Sequence, residues 1–366
     1  MSQTYRNERK CNEEGYKFIY ESIKKTIDIN SNKNNNDNND NNDNNDNNDK
    51  NTSTPLNKLQ QPIMIGKIGA NELLVVYQSI QILQKQILGF SPDIFREGCL
   101  TAGIFPPTKE GFIIFVKKYL DAIKSMNIMA SWNDRVLEIE EYVFNNYVMK
   151  DKLMDNSLNN SYQENQENQE IHGLVDLCSL ESFYTEPKYW WQNLYENKTI
   201  LIITPFVKSI QTQLSLDKRD KVWRGKWNGF WSKTITFKYI KFPHPYYISS
   251  EEEKEKYPKS LDLLMQKYQT EIDNIINDGN GGFDIALIGT GAYSILLCDY
   301  IKRKKQKNAF HLGGGLQMMC GVYGHRWEPS FNTNPFLEEY INDAWIRPLP
   351  EEIPLMYQAQ EGGAYF

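Results

Sequence analysis

Between Thr199 and Leu312 the chain alternates dense apolar runs with helical patterns, and two of the runs end in glycine-rich turns. Thr199 to Thr204, Thr234 to Ile240, Asp284 to Ile288 and Asn308 to Leu312 have the length and composition of strands. The first and third are dense apolar runs, as expected of strands covered on both faces. Leu261 to Ile276 and Tyr293 to Lys304 carry apolar residues at helical spacing between them. Strands joined through helices pair in parallel, so the predicted class is α/β, a Rossmann-like, mainly parallel sheet with flanking helices. In such sheets ligands bind beyond the carboxyl ends of the strands. The residues that follow each strand are therefore where chemistry is expected.

The rest of the chain fits this plan with interruptions. Asn-Asn-Asp repeats from Asn35 to Asp49, and Asp155 to Glu170 repeats Glu-Asn-Gln. Neither has anything to bury against the entropy of ordering, so both are expected to be disordered. The predicted organisation is a helical or extended segment at 1–29, a disordered insertion at 30–55, and one domain at 56–366 broken by a flexible stretch at 151–172. That domain opens with a strand at Ile63 to Ile68, the turn Gly69-Ala70-Asn71-Glu72, and a helix to about Leu88 with Asn71 as its N-cap. Helices are also expected over Phe112 to Ile123 and Asp134 to Tyr147.

Charge and hydropathy exclude several functions. The 41 Lys+Arg against 47 Asp+Glu leave a net charge of −6, and no basic block is long enough for general nucleic-acid binding. No apolar run reaches the 18 or so residues of a membrane span, and Met1 to Lys10 is polar where a secretory signal would be apolar. The expectation is a cytoplasmic protein with no integral membrane segment. Five cysteines stand singly and are expected as reduced thiols, mostly in the core.

Two turns stand out at the predicted ligand edge. Gly289-Thr290-Gly291-Ala292-Tyr293 leads straight into a helix, where small residues and free amides suit a phosphate. It lacks the third glycine of the dinucleotide fingerprint, which disfavours NAD. The alternative is a tight turn with no ligand. Gly313-Gly314-Gly315-Leu316-Gln317 follows the last strand, with His311 beside it. His311 is a candidate for orienting a phosphate, binding a metal or acting as a base, or is a structural histidine. Glu72 is the carboxylate best placed for a divalent cation, or is simply a favourable first-turn glutamate. Thr204-Pro205-Phe206, Ser209 and Gln213 follow another strand and are candidates for the same edge, or are capping and surface positions. Trp223, Trp227 and Trp231 among Lys and Arg suggest either a segment that binds an acceptor or an amphipathic surface helix. Arg326 is a further candidate cation, or one half of a surface salt bridge.

His311-Leu312-Gly313-Gly314-Gly315-Leu316-Gln317, followed by Gly321, Gly324, Arg326 and Trp327, resembles the signature of the GT-D-like glycosyltransferase family. Ile65 to Leu73, Ala102 to Pro106, Thr204 to Phe206 with Ser209, Ile210 and Gln213, and Gly289 to Tyr293 extend the resemblance over residues 63–327. The resemblance implies a Rossmann-like fold that binds a nucleotide-sugar donor and, with manganese or magnesium, transfers the sugar to an acceptor, here unknown. It implies Glu72 and His311 as catalytic residues and Glu72 as metal ligand. It implies donor contacts from Gly69, Asn71, Ser209, Gly289, Thr290, Gly291, Ala292, Tyr293, Gly313, Gly314, Gly315, Gln317 and Arg326. The family's Asp-x-Glu motif falls on Ala70-Asn71-Glu72, so the first carboxylate is replaced by Ala70. The departure leaves room for a descendant that binds a nucleotide or a protein without catalysis.

Overall fold

In the computed structural model the chain is described at residues 9–10, 12–36, 61–132, 136–148, 173–184, 187–189, 191–223, 229–279, 281–328 and 341–366. Among them eight strands form one sheet: β1 (Arg9–Lys10), β2 (Met64–Lys67), β3 (Ile128–Ser131), β4 (Gly173–Asp176), β5 (Thr199–Thr204), β6 (Thr236–Lys241), β7 (Ile285–Ile288) and β8 (Asn308–His311). Their order is β1-β4-β3-β2-β8-β7-β5-β6, and every pair is parallel. The fold is the α/β Rossmann-like class expected from the sequence. After β5 the chain moves outward to β6, whereas after β7 it moves inward to β8. Neighbouring strands that lead opposite ways open a crevice at their carboxyl ends.

Side chains alternate between two covered faces, which is why the strands read as continuous apolar runs. Met64, Leu201, Ile203, Ala286 and Ile288 face a core with Leu73, Val76, Phe112, Phe115, Leu264 and Ile295. These come from the helices Ala70–Leu83, Lys109–Lys124, Leu261–Ile276 and Tyr293–Lys305. Ile65, Ile200, Ile202, Leu287 and Phe310 face a second core with Ile19, Ile23, Trp191 and Ile210. Each fully buried Leu, Ile or Phe contributes roughly 1.5–3 kcal/mol by leaving water.

Several local expectations are corrected. The first domain helix begins at Ala70 and ends at Leu83; Gly69 is its N-cap, without a side-chain bond, and not Asn71. Lys85, with φ 60°, bends the chain out of the helix well before Leu88. The expected helix over Asp134 to Tyr147 is Leu137–Val143, widened into a π turn at Phe144–Val148. Trp223 and Trp231 are neither an acceptor surface nor a surface helix: both are buried, and both indole N–H groups donate to Met319 O, at 3.0 and 3.1 Å. Trp227 lies outside the described residues. The helix Asn12–Asn36 enters the Asn-rich tract, while 37–60 and 149–172 lie outside the described residues. Three of the four described cysteines are buried, and all four are free thiols. Among the described residues no helix is long and apolar enough to cross a membrane.

Ser209 is placed differently from its expected role. The amides of Lys208 and Ser209 and the Ser209 hydroxyl donate to the Glu352 carboxylate, at 2.6, 2.9 and 2.5 Å. Ser209 Oγ also accepts from Leu349 N at 2.9 Å. Gln213 donates to Gly321 O and Ala344 O, each at 2.8 Å. Both residues dock the C-terminal tail and do not line the ligand edge. Glu352 thereby satisfies the first amides of the helix Val207–Gln213 from 143 residues away. Glu352→Ala leaves those donors buried without an acceptor and is expected to cost about 2–3 kcal/mol, read as a lower midpoint in chemical denaturation with an unchanged slope.

Candidate functional site

A cleft of about 400 Å³ lies at the carboxyl ends of β2, β8, β7, β5 and β6. Its floor is made by the two glycine turns. Gly313 turns the chain with φ 58°, a conformation open to glycine at little steric cost. A Cβ at Gly289 would stand 2.8 Å from Gly313 O, so the β7 and β8 turns meet backbone to backbone only because side chains are missing. The turns differ in what they offer. Gly289 N donates to Ile203 O, Ala292 N to Ala102 O, and Thr290 N to Ser294 Oγ, at 3.0, 3.1 and 2.9 Å. The amides of Gly313 and Gly314 have no hydrogen-bond acceptor among the described residues. Gly313 and Gly314 therefore offer open backbone donors, as does Gly291 in the first turn, whereas the amides of Gly289, Thr290 and Ala292 are already engaged within the protein.

Tyr293 is likewise structural. Its hydroxyl donates to Gly103 O and accepts from Phe105 N, both at 2.9 Å, and so fixes the loop that walls one side. Gln317 lines the cleft while its amide donates to Tyr365 O at 3.1 Å. Gly69, Asn71, Gly291 and Gly315 also line it, as do Thr204, Pro205 and Phe206.

Charge is concentrated at the β2 and β8 end. Lys67, on the last residue of β2, lies along the Gly313 turn: a Cβ built there would be 3.7 Å from Lys67 Cε. Its ammonium sits 5.9 Å from the Trp132 ring centre. Arg326 stacks on Trp327 and Tyr365, at 5.6 and 5.0 Å, and pairs with Glu361 at 3.4 Å. Glu361 is presented from left-handed backbone, φ 47°, uncommon for a residue with a side chain. Glu181 rests on Gly315, where a Cβ would be 2.6 Å from its Oε1. Burial raises its pKa, while Lys67 and Arg326 draw it down. Lys67, Glu181 and Glu361 escape the sequence reading, since each lies outside the glycine turns and joins them only through sheet order and the docked tail. The available signal is the position of Lys67 at the carboxyl end of the first strand of the domain.

Glu72 folds back over Gly69, where a Cβ would be 2.1 Å from its Oε2. Burial, with Glu361 beside it, lifts its carboxyl to about 7; its own backbone amide and Lys67 oppose the rise. His311 is buried with Nδ1 3.4 Å from Ile288 O. Burial and then Lys67 push its pKa down to about 3. It is neutral at physiological pH and a poor proton acceptor, which argues against the expected base role. Among the described residues no three His, Cys, Asp or Glu side chains form a metal cage. Ala70, two residues before Glu72, adds no carboxylate, and Lys67 and Arg326 already supply positive charge. This donor set does not fit a resident divalent cation.

Comparison with protein-family models, curated proteins and solved structures finds no match for the chain. The site must be read from its own chemistry.

The Glu72 carboxyl, raised from about 4.5 to about 7, keeps in the folded chain a proton that the unfolded chain releases between those values. Stability therefore falls as pH rises from about 4.5 to 7, and the deficit is complete above that window. Glu72→Gln removes the deficit and is expected to be more stable than wild type at pH 8 by on the order of 2–3 kcal/mol, with the difference vanishing near pH 4.5. Denaturation across pH 4.5–8.5 checks this; a gap independent of pH contradicts it.

Proposed function

We propose that the cleft binds a nucleotide-sugar donor and transfers its sugar to an acceptor hydroxyl, in keeping with the resemblance to GT-D-like glycosyltransferases. One observation carries the reading. At the carboxyl edge of the sheet, the open amides of Gly313 and Gly314 stand beside the Lys67 ammonium, with Arg326 in the same cleft. Two amides and a cation at a glycine turn suit a diphosphate, and the partly enclosed cleft strengthens their attraction.

In the proposed reaction the acceptor oxygen forms a bond to the sugar's anomeric carbon while the bond to the diphosphate oxygen breaks. The leaving diphosphate takes the electron pair, and Lys67, Gly313 N and Gly314 N meet the negative charge as it develops. The acceptor proton passes to Glu72, the carboxylate whose proton affinity lies near neutrality. No step is routed through a metal.

A second reading, a nucleotide-binding protein without transferase activity, is favoured by Ala70, which removes one of the family's two carboxylates. The two readings separate in one assay series. UDP- and GDP-sugars are expected to raise the melting temperature and to be slowly hydrolysed, with and without manganese. Lys67→Met is expected to weaken nucleoside diphosphate binding about 10–100-fold, and Glu72→Gln to stop turnover while retaining binding. Binding with no turnover in wild type, across a broad acceptor panel, selects the second reading; no binding by wild type sinks both.

A further inference from the structure

The strand ends make only part of the cleft's boundary. The docked tail adds Gln360, Glu361 and Tyr365 to its lining and lies against the Gly313-Gly314 turn, where a Cβ at Gly314 would stand 3.0 Å from Tyr365 Cε1. The tail is held differently on the two sides of Gly363. After it, Arg326 N donates to Ala364 O, His325 N to Phe366 O and the Gln317 side chain to Tyr365 O, at 3.1, 2.9 and 3.1 Å. Ala364 and Phe366 are buried. Before it, the contacts across the cleft come from side chains and are long: Gln360 Nε2 donates to Thr101 O and Arg326 Nη1 to Glu361 Oε2, each at 3.4 Å. Between the two parts, Glu361, Gly362 and Gly363 run through left-handed backbone, with φ 47°, 66° and 84°. A Cβ at Gly362 would meet nothing within 4 Å. Two adjacent glycines in open space let the backbone turn at little steric cost, as a hinge requires.

Glu361 is the carboxylate that this segment carries to the cleft's charge. Its side chain and that of Arg326 are 30 % and 43 % exposed. A charge-assisted bond of full strength is about 2.7–2.9 Å long, and a partly exposed pair contributes little. Arg326 has other support, since its guanidinium stacks on Trp327 and Tyr365; it keeps its place when its anionic partner changes. An anion that reaches Arg326 brings a second negative charge against Glu361, and the two repel. A diphosphate offers more charge than one carboxylate and two oxygens for the planar fork of the guanidinium, so the exchange favours it.

We propose that Glu361 is a displaceable counter-ion: it holds Arg326 until a diphosphate enters and takes its place, and the segment 358–363 then swings away on Gly362 and Gly363. This rests on the reading that the cleft takes a diphosphate. The tail thereby carries an autoinhibitory contact that the ligand must break.

Calorimetric titration with inorganic pyrophosphate and hydrogen exchange of the full chain test this together. Glu361→Gln is expected to bind pyrophosphate about tenfold more tightly than wild type. In wild type, saturating pyrophosphate is expected to speed exchange about fivefold or more at the amides of Gln360 and Gly363, which bond to Tyr357 O and Gln360 O. The amides of His325 and Arg326, which anchor the end of the tail, stay slow. Binding by Glu361→Gln alone also supports the counter-ion, because the carboxylate then excludes the anion outright. Equal affinity in the two proteins, or tail amides that keep or slow their exchange when wild type binds, overturns the displacement and leaves the diphosphate reading standing. Absence of binding by both proteins overturns the diphosphate reading and the counter-ion with it.

Discussion

The cleft exists because backbone touches backbone where β7 and β8 end. Gly289 and Gly313 meet at a distance that no Cβ would permit, and Gly66 brings β2 against His311, where an added Cβ would be 3.0 Å from His311 Cβ. Three neighbouring strands thus finish close together with little side-chain bulk above them. A side chain at Gly289 would have to displace the β8 turn. The glycines here do not loosen the chain; they permit an approach that sets the shape of everything built on it.

On that floor the protein assembles an uneven set of charges. Two cations, Lys67 and Arg326, face three carboxylates, Glu72, Glu181 and Glu361, in a partly enclosed space. Proton affinity adjusts accordingly: Glu72 rises toward neutrality and His311 is held uncharged. Arg326 is steadied by two aromatic rings and by Glu361, a residue presented from strained backbone, and such conformations gather at sites where ligands act. In the proposed reading, Lys67 and the open amides of Gly313 and Gly314 meet incoming negative charge without first breaking a hydrogen bond of the second turn.

Much of this was legible in the chain's local patterns. Strand, glycine turn and helix are contiguous features, so the sheet class, the strands Thr199–Thr204 and Asn308–His311, and both turns could be read directly. β3 and β4 could not, because Ile128–Ser131 and Gly173–Asp176 carry only three and two apolar side chains, too short a run to show the period of a strand. The polarity of the cleft was also hidden. Lys67, Glu181 and Glu361 are scattered over nearly 300 positions and meet only through the strand order and the docked tail. Ser209 was misplaced for the converse reason: it follows a strand as a ligand residue would, yet Glu352, far along the chain, claims both its amide and its hydroxyl. Glu72 lines the cleft, but its proton affinity depends on burial and on Glu361, and neither is visible in sequence.

The most direct measurement follows the amides of the open turn. In a glycine-selective nitrogen-15 spectrum, titration with a nucleoside diphosphate should move the Gly313 and Gly314 resonances and slow their hydrogen exchange, with Gly289, already bonded to Ile203, little changed. If nucleotide binds while Gly313 and Gly314 keep their shifts and exchange rates, the diphosphate lies elsewhere and the account of the cleft is wrong.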